Sequence, residues 1–261
     1  MSNNSNPISI FFATPCFGAQ VSCHFTHSLI QTINLLKEHN IDSTYAFLPN
    51  QIVTRARNLL THMFLQSNCT HLFFIDADIQ FRPQDVLEMI KNDKSICVGL
   101  YANKNYVVKK DTPLTDISSN DFFFKCIQYS STFEQNINSL VNDKLIKIKH
   151  GATGFMLIKR SVFEHLKTIV KSYKHIDNND DIGDNTVYAF FNCEVHDNSY
   201  LTEDYYFCQL WKNFCNDYNN KNNDIIDDAI WADLSICLNH EGWHSYQGNP
   251  FKTFELISNS K

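Results

Sequence analysis

The sequence predicts an α/β fold with a mostly parallel central sheet flanked by helices. Over the first hundred residues, short apolar runs alternate with segments of helical periodicity. A βαβαβαβ order of this kind joins neighbouring strands through helical crossovers and so lays them parallel. The unbroken apolar run "LFFI" at 72–75 also calls for a strand buried on both faces, as in a sheet covered by helices.

Taken in order, a polar tail over residues 1–6 precedes "ISIFFATP", a first strand ended by Pro15 and Gly18. "THSLIQTINLLKEHN" reads as a helix with Leu29, Ile30, Ile33 and Leu36 on one face and Asn40 as its stop. "STYAFL" is a second strand. "QIVTRARNLLTHMFLQS" is a second helix, its apolar stripe running through Ile52, Ala56, Leu59 and Met63. "HLFFID" forms the third strand, Pro83 opens the helix "PQDVLEMIKN" where proline is favoured, and "SICVGLY" is the fourth strand. Further on, "KLIKIKHGATGFMLIKRSVFEHL" reads as strand, glycine loop, strand and helix. "HIDNNDDIGDN" and "CNDYNNKNNDIIDD" break periodicity and read as loops or insertions that add no core. With no internal repeat and no linker, residues 7–257 are expected to form a single domain.

The 261 residues are 43% hydrophobic and 19% charged, enough apolar material to bury a core. A net charge of -6 lacks the basic footprint of a general nucleic-acid binder. "MSNNSNPISIFF" has neither the positive nor the apolar region of a signal peptide, and no run approaches the roughly 18 apolar residues of a membrane span. The nine cysteines follow no repeating framework and read as reduced thiols, mostly buried, which makes a cytoplasmic location the expectation. Cys16, Cys23, His24 and His27, and likewise Cys193, His196, Cys208 and Cys215, lack the paired spacing of a zinc site. G-x-G-x-x-G, Walker and G-x-S-x-G motifs are absent.

In a parallel sheet, ligands bind at the carboxyl ends of the strands. Asp76 and Asp78 lie at such an end in "FFIDADIQF", and Thr14 and Pro15 at another. On a strand, residues two apart face the same side, so the two carboxylates are expected to repel unless a cation or proton lies between them. A solvated strand end is one reading. The nucleophile and acid of a haloacid-dehalogenase-type phosphatase is a second, disfavoured because Ile79-Gln80-Phe81 follows instead of a polar turn. The preferred reading is a divalent-cation site for a nucleoside diphosphate, since Mg²⁺ and Mn²⁺ take oxygen ligands shared with phosphates.

Glu203 and Asp204 in "YLTEDYYFCQLW" are either an acidic first helical turn or, against Tyr205, Tyr206, Phe207 and Trp211, a general base in a partly apolar wall. Only one of the two is expected to face a substrate. His240 and His244 in "LNHEGWHSYQG" are either ordinary polar loop residues or metal ligands. Arg55 and Arg57 in "VTRARN" are either solvated or diphosphate partners. The loop Gly151-Ala152-Thr153-Gly154 is either a tight turn or a close backbone approach to donor sugar or acceptor.

Together the ordered segments "FFATPCFG", "VTRARNLL", "THLFFIDADIQFRPQDV", "GATGFMLIKRSVFE", "LTEDYYFC" and "LNHEGWHSYQG" resemble the GT-A class of glycosyltransferases, most of all the small single-domain enzymes of large DNA viruses and some bacteria. The resemblance implies a GT-A fold and transfer of a hexosyl-type sugar from a nucleotide-sugar donor, a UDP-sugar favoured, to a glycan or other hydroxyl acceptor. It implies Mn²⁺ or Mg²⁺ bridging Asp78 of a DXD motif and the donor diphosphate, with Asp76 near the ribose or on the metal and Ala77 in the donor site. His240 would be the third ligand and His244 its reserve, and Asp204 would be the base of an inverting reaction, with Glu203 as alternative. No single motif separates inversion from retention. A sugar nucleotidyltransferase would need a basic glycine-rich loop where "TPCFGAQVSC" stands. A non-catalytic nucleotide- or carbohydrate-binding module is the third possibility.

Overall fold

The computed structural model describes residues 7–108, 120–134, 144–175, 185–242 and 244–258. The tail over 1–6 and nearly all of "HIDNNDDIGDN" lie outside the described residues. The first half follows the expected alternation: β1 (Ser9–Cys16), α1 (Cys23–Glu38), β2 (Asp42–Pro49), α2 (Val53–Gln66) and β3 (His71–Ile75). Then come a short β4 (Ile79–Gln80), α3 (Pro83–Lys91), β5 (Ile96–Gly99) and β6 (Ala102–Tyr106). Helix α1 begins three residues ahead of the segment that periodicity marks, because the Ser22 hydroxyl accepts the Phe25 N–H at 3.0 Å and caps it there. Helix α3 starts at Pro83, with the Asp85 carboxylate accepting the Arg82 N–H at 3.0 Å.

The second half contributes α4 (Asn120–Cys126), β7 (Ile127–Tyr129), β8 (Ser131–Phe133), β9 (Leu145–Gly151), β10 (Phe155–Lys159) and α5 (Arg160–Leu166). After these come two small hairpins, β11 (Ser172–Lys174) with β12 (Thr186–Tyr188) and β13 (Glu194–His196) with β14 (Ser199–Leu201). The chain ends in α6 (Glu203–Asn219), β15 (Ile230–Asp233), β16 (Asn239–Glu241), β17 (Ser245–Gln247) and α7 (Pro250–Ser258).

One eight-stranded sheet orders β2-β1-β3-β10-β5-β15-β9-β8. Strands β2, β1, β3, β5, β15 and β8 run one way, and β10 and β9 run against them. The mostly parallel sheet is therefore present. Its periodicity gave no sign that β10 slots antiparallel between β3 and β5. Alternation along each strand feeds two cores. Phe11, Ala13 and Phe74 face one side with Leu60, Phe163 and Phe207, and Ile10, Phe12 and Phe73 face the other with Phe25, Leu29 and Val86. All five residues of β3 are buried, as its continuous apolar run requires.

Two helix faces depart from expectation. On α1 the buried face is Phe25, Ser28, Leu29, Thr32 and Leu36, and Ile30 is 56% exposed. On α2, Ala56 and Leu59 are buried as expected, but Ile52 and Met63 are exposed and Arg57 and Asn58 point inward. Asn58 is satisfied there by the Phe191 backbone, donating to its carbonyl at 3.0 Å and accepting its N–H at 2.9 Å. The stretch "CNDYNNKNNDIIDD" is also more ordered than its composition predicts. Its first five residues complete α6, Cys215 is buried, and the Asn219 amide bonds both backbone groups of Ile226 at 2.9 Å.

Candidate active site

Strand β3 ends at Ile75, and residues 76–78 form a turn closed by the Ile79 N–H donating to the Asp76 carbonyl at 3.1 Å. Asp76 and Asp78 thus sit on a turn and not on the strand itself. Period-two alternation holds along an extended strand and is not imposed on a turn; here each carboxylate has its own cationic partner. Asp76 accepts from Arg57 Nη2 at 3.3 Å. Asp78 accepts from Lys104 Nζ at 2.5 Å and faces His240 Nε2 at 3.6 Å. The turn is pinned on both flanks, by the Ser22 N–H on the Ala77 carbonyl and the Glu241 N–H on the Asp78 carbonyl, each at 2.8 Å.

His240 reaches this place because β16 pairs antiparallel with β4, setting His240 opposite Ile79. Its Nδ1 lies 2.8 Å from the Ala102 carbonyl, an acceptor. Nδ1 donates to that carbonyl, which leaves Nε2 turned toward Asp78. Burial pushes the Asp78 carboxyl up, but the contacts with His240 and Lys104 outweigh it and hold the group below its ordinary value. His244 lies on the far side of the β16–β17 turn, exposed, its ring 6.5 Å from that of Tyr246.

Arg57 joins two of the quoted motifs. Its Nε donates to Glu203 Oε1 at 3.1 Å while Nη2 holds Asp76, and its guanidinium stands 5.4 Å from the Phe74 ring centre. Burial alone would lower its pKa; Asp76 and Glu203 reverse the direction and keep it charged. Nη1 of the same side chain is buried with no hydrogen-bond partner. Arg55, by contrast, is exposed, 3.4 Å from the His175 ring nitrogen.

Glu203 and Asp204 open α6 and diverge, as neighbours on a helix must. Glu203 is committed to Arg57. Asp204 takes the Thr202 hydroxyl at 2.5 Å and the Tyr205 N–H at 2.8 Å, both on Oδ1. Burial first, then the neighbouring Glu203, raises the Asp204 carboxyl above its usual value.

A cavity of about 940 Å³ opens at the carboxyl ends of β1 and β3, with Pro15, Arg57, Asp76, Ala77, Asp78 and His240 in its wall. Thr14 is buried within β1, and neither it, Arg55, His244 nor Asp204 belongs to that wall. Gly151, Ala152, Thr153 and Gly154 are buried and stand behind the site. The Asp76 N–H donates to the Gly154 carbonyl at 3.0 Å. A Cβ at Gly154 would lie 2.5 Å from the Tyr101 hydroxyl and 2.7 Å from Asp76 Oδ2. What this glycine admits is thus a carboxylate and a phenol of the protein itself.

Tyr101 and Lys104 escaped sequence reasoning. Burial, then Asp76 and Asp204, push the Tyr101 hydroxyl well above its usual value, and its ring packs edge-on against His240 at 5.1 Å. Its place two residues past the end of β5 was the available signal; an isolated lysine on a short strand offers none.

One carboxylate and one correctly polarised imidazole suit a hard divalent cation whose remaining positions are filled by phosphate and water oxygens. Among the described residues no group of three or more His, Cys, Asp or Glu converges, so the chain alone offers only part of a coordination shell. All nine cysteines are free, five of them buried, and no described helix is long and apolar enough to cross a membrane.

No protein-family model matches this chain, and no curated protein matches it. Among solved structures it is similar to A197 from STIV, with 17% identity over 94% of this chain and 91% of that one, at a TM-score of 0.46. It is also similar to a putative glucose-1-phosphate thymidylyltransferase from Bacillus anthracis in complex with a sucrose, with 12% identity over 63% of this chain and 76% of that one, at a TM-score of 0.30.

Proposed function

We propose that this chain is a metal-dependent glycosyltransferase of GT-A type. It moves a hexosyl-type sugar from a nucleoside-diphosphate sugar, a UDP-sugar favoured, to an acceptor hydroxyl with inversion. The observation that carries this reading is the facing pair Asp78 and His240, set beside buried Arg57 in a 940 Å³ cavity at the strand ends. Asp78 and His240 would hold Mn²⁺ or Mg²⁺. The bound cation supplies charge compensation to the departing nucleoside diphosphate.

The residues of the chain divide the remaining work. Asp76, held by Arg57, forms the wall of the donor site. Arg57 keeps a positive charge and an unsatisfied Nη1 beside the place where negative charge develops. Asp204 takes the proton from the acceptor hydroxyl, whose oxygen bonds to the anomeric carbon. The bond from that carbon to the phosphate oxygen breaks, and its electron pair leaves with the diphosphate. A raised carboxyl pKa suits the base role, because a stronger base accepts the proton more readily.

The test is a thermal-shift and calorimetric screen of nucleoside diphosphates and nucleotide sugars with and without Mn²⁺. Stabilisation that depends on Mn²⁺ and disappears in Asp78→Ala is expected. Binding that is indifferent to Mn²⁺ would refute the metal role. Pyrophosphate release from a nucleoside triphosphate and a sugar phosphate would instead identify a nucleotidyltransferase.

A further inference from the structure

Two cations touch the aspartates of the turn, and they are held in opposite ways. Arg57 is buried between Asp76 and Glu203, a fixed charge with two carboxylates. Lys104, from β6, meets a single carboxylate, Asp78, with both side chains more than a third exposed. Its stem crosses Gly242, where a Cβ would come within 3.1 Å of Lys104 Cδ and 3.6 Å of Cε. Gly242 itself belongs to the cavity wall. The ammonium is thus delivered to the rim of the proposed donor site along the face of Gly242, where a Cβ would press on the stem.

We propose that Lys104 is an exchangeable counter-cation: it neutralises Asp78 before the donor arrives, then passes to the donor's phosphate oxygens when a divalent cation takes the carboxylate. This rests on the metal-dependent reading of the site and adds to it a residue that works against metal alone and in favour of metal with nucleotide. The physical grounds are three. The Lys104 ammonium on Oδ2 sets a positive charge beside Oδ1, the oxygen that faces His240, so a divalent cation arriving there meets a like charge. An exposed lysine–carboxylate pair is weak enough to break readily, worth roughly two- to fivefold in an equilibrium constant. A lysine, a compact charge on a flexible stem, can follow a phosphate where a clamped arginine cannot.

The experiment compares the full chain with Lys104→Met and Lys104→Arg, using calorimetry and the electron paramagnetic resonance of free Mn²⁺. With Mn²⁺ alone, Lys104→Met is expected to bind roughly two- to fivefold more tightly than the unaltered chain. With Mn²⁺ saturating, the same variant is expected to bind UDP more weakly by a comparable factor. Lys104→Arg, which keeps the charge, is expected to stay near the unaltered chain in the Mn²⁺ titration. An unaltered chain that binds both Mn²⁺ and UDP, with Lys104→Met showing no opposed shifts, overturns the exchange and leaves the metal reading standing. If no form of the chain binds Mn²⁺, the metal reading falls and the exchange falls with it.

Discussion

Asp204 and Arg57 show how one residue's surroundings set its chemistry. The folded pKa of Asp204 is raised, so its ionised form is disfavoured by folding, a cost present above that pKa and relieved as pH falls through it. Asp204→Asn is therefore expected to leave thermal stability equal or higher, to keep donor binding, and to lower transfer by about 10²–10⁴-fold. The rate of the unaltered chain should fall on acidification at a pH above that of an ordinary aspartate. A pH–rate profile together with a melting curve checks both parts, and full transfer by the variant would move the base role elsewhere. Arg57 presents the opposite case, a buried charge that two carboxylates keep in place. Replacing it with Met strands Glu203 without its partner and is expected to cost about 3–5 kcal/mol in denaturant unfolding. A loss well below that range would show that water reaches the pair.

At the scale of elements, the antiparallel insertion of β10 between β3 and β5 decides the site. It draws the β9–β10 loop against the end of β3, so that Gly154 backs onto Asp76 and Tyr101. The pairing of β4 with β16 does the same for His240. Gly154→Ala places a methyl group 2.5 Å from one polar atom and 2.7 Å from another, so Tyr101 and Asp76 must both shift. The expected result is destabilisation of about 1–3 kcal/mol, accompanied by weaker nucleotide binding because Asp76 moves with the loop. Chemical unfolding and calorimetry on the same variant check the two effects. Undiminished binding would show that the glycine serves packing alone.

Across the whole molecule, stability comes from two apolar layers on a single sheet, with no cross-link between distant parts of the chain. All nine thiols are free, and burial raises those of Cys97, Cys208 and Cys215 to about 12, far from the range in which a thiol reacts readily. The midpoint of thermal unfolding is accordingly expected to be the same with and without a strong reductant. A drop on reduction would reveal a disulfide.

Much of this architecture was legible in the residues themselves. Strand and helix periods, the apolar run of β3, Pro83 at the head of α3 and the acidic start of α6 are local properties, set by the backbone and by neighbours a few positions away. They sufficed to locate the aspartate turn, the acidic pair and the histidines as places where chemistry was to be sought. Partnership was a different matter. That Arg57 rather than Arg55 lines the cavity, that His240 rather than His244 meets Asp78, and that Asp76 and Asp78 take different cationic partners was decided by tertiary structure. The contact between Arg57 and Glu203 spans 146 positions and that between Lys104 and Asp78 spans 26. Such contacts depend on how strands order and pair in the sheet, and side-chain periodicity carries no record of that order.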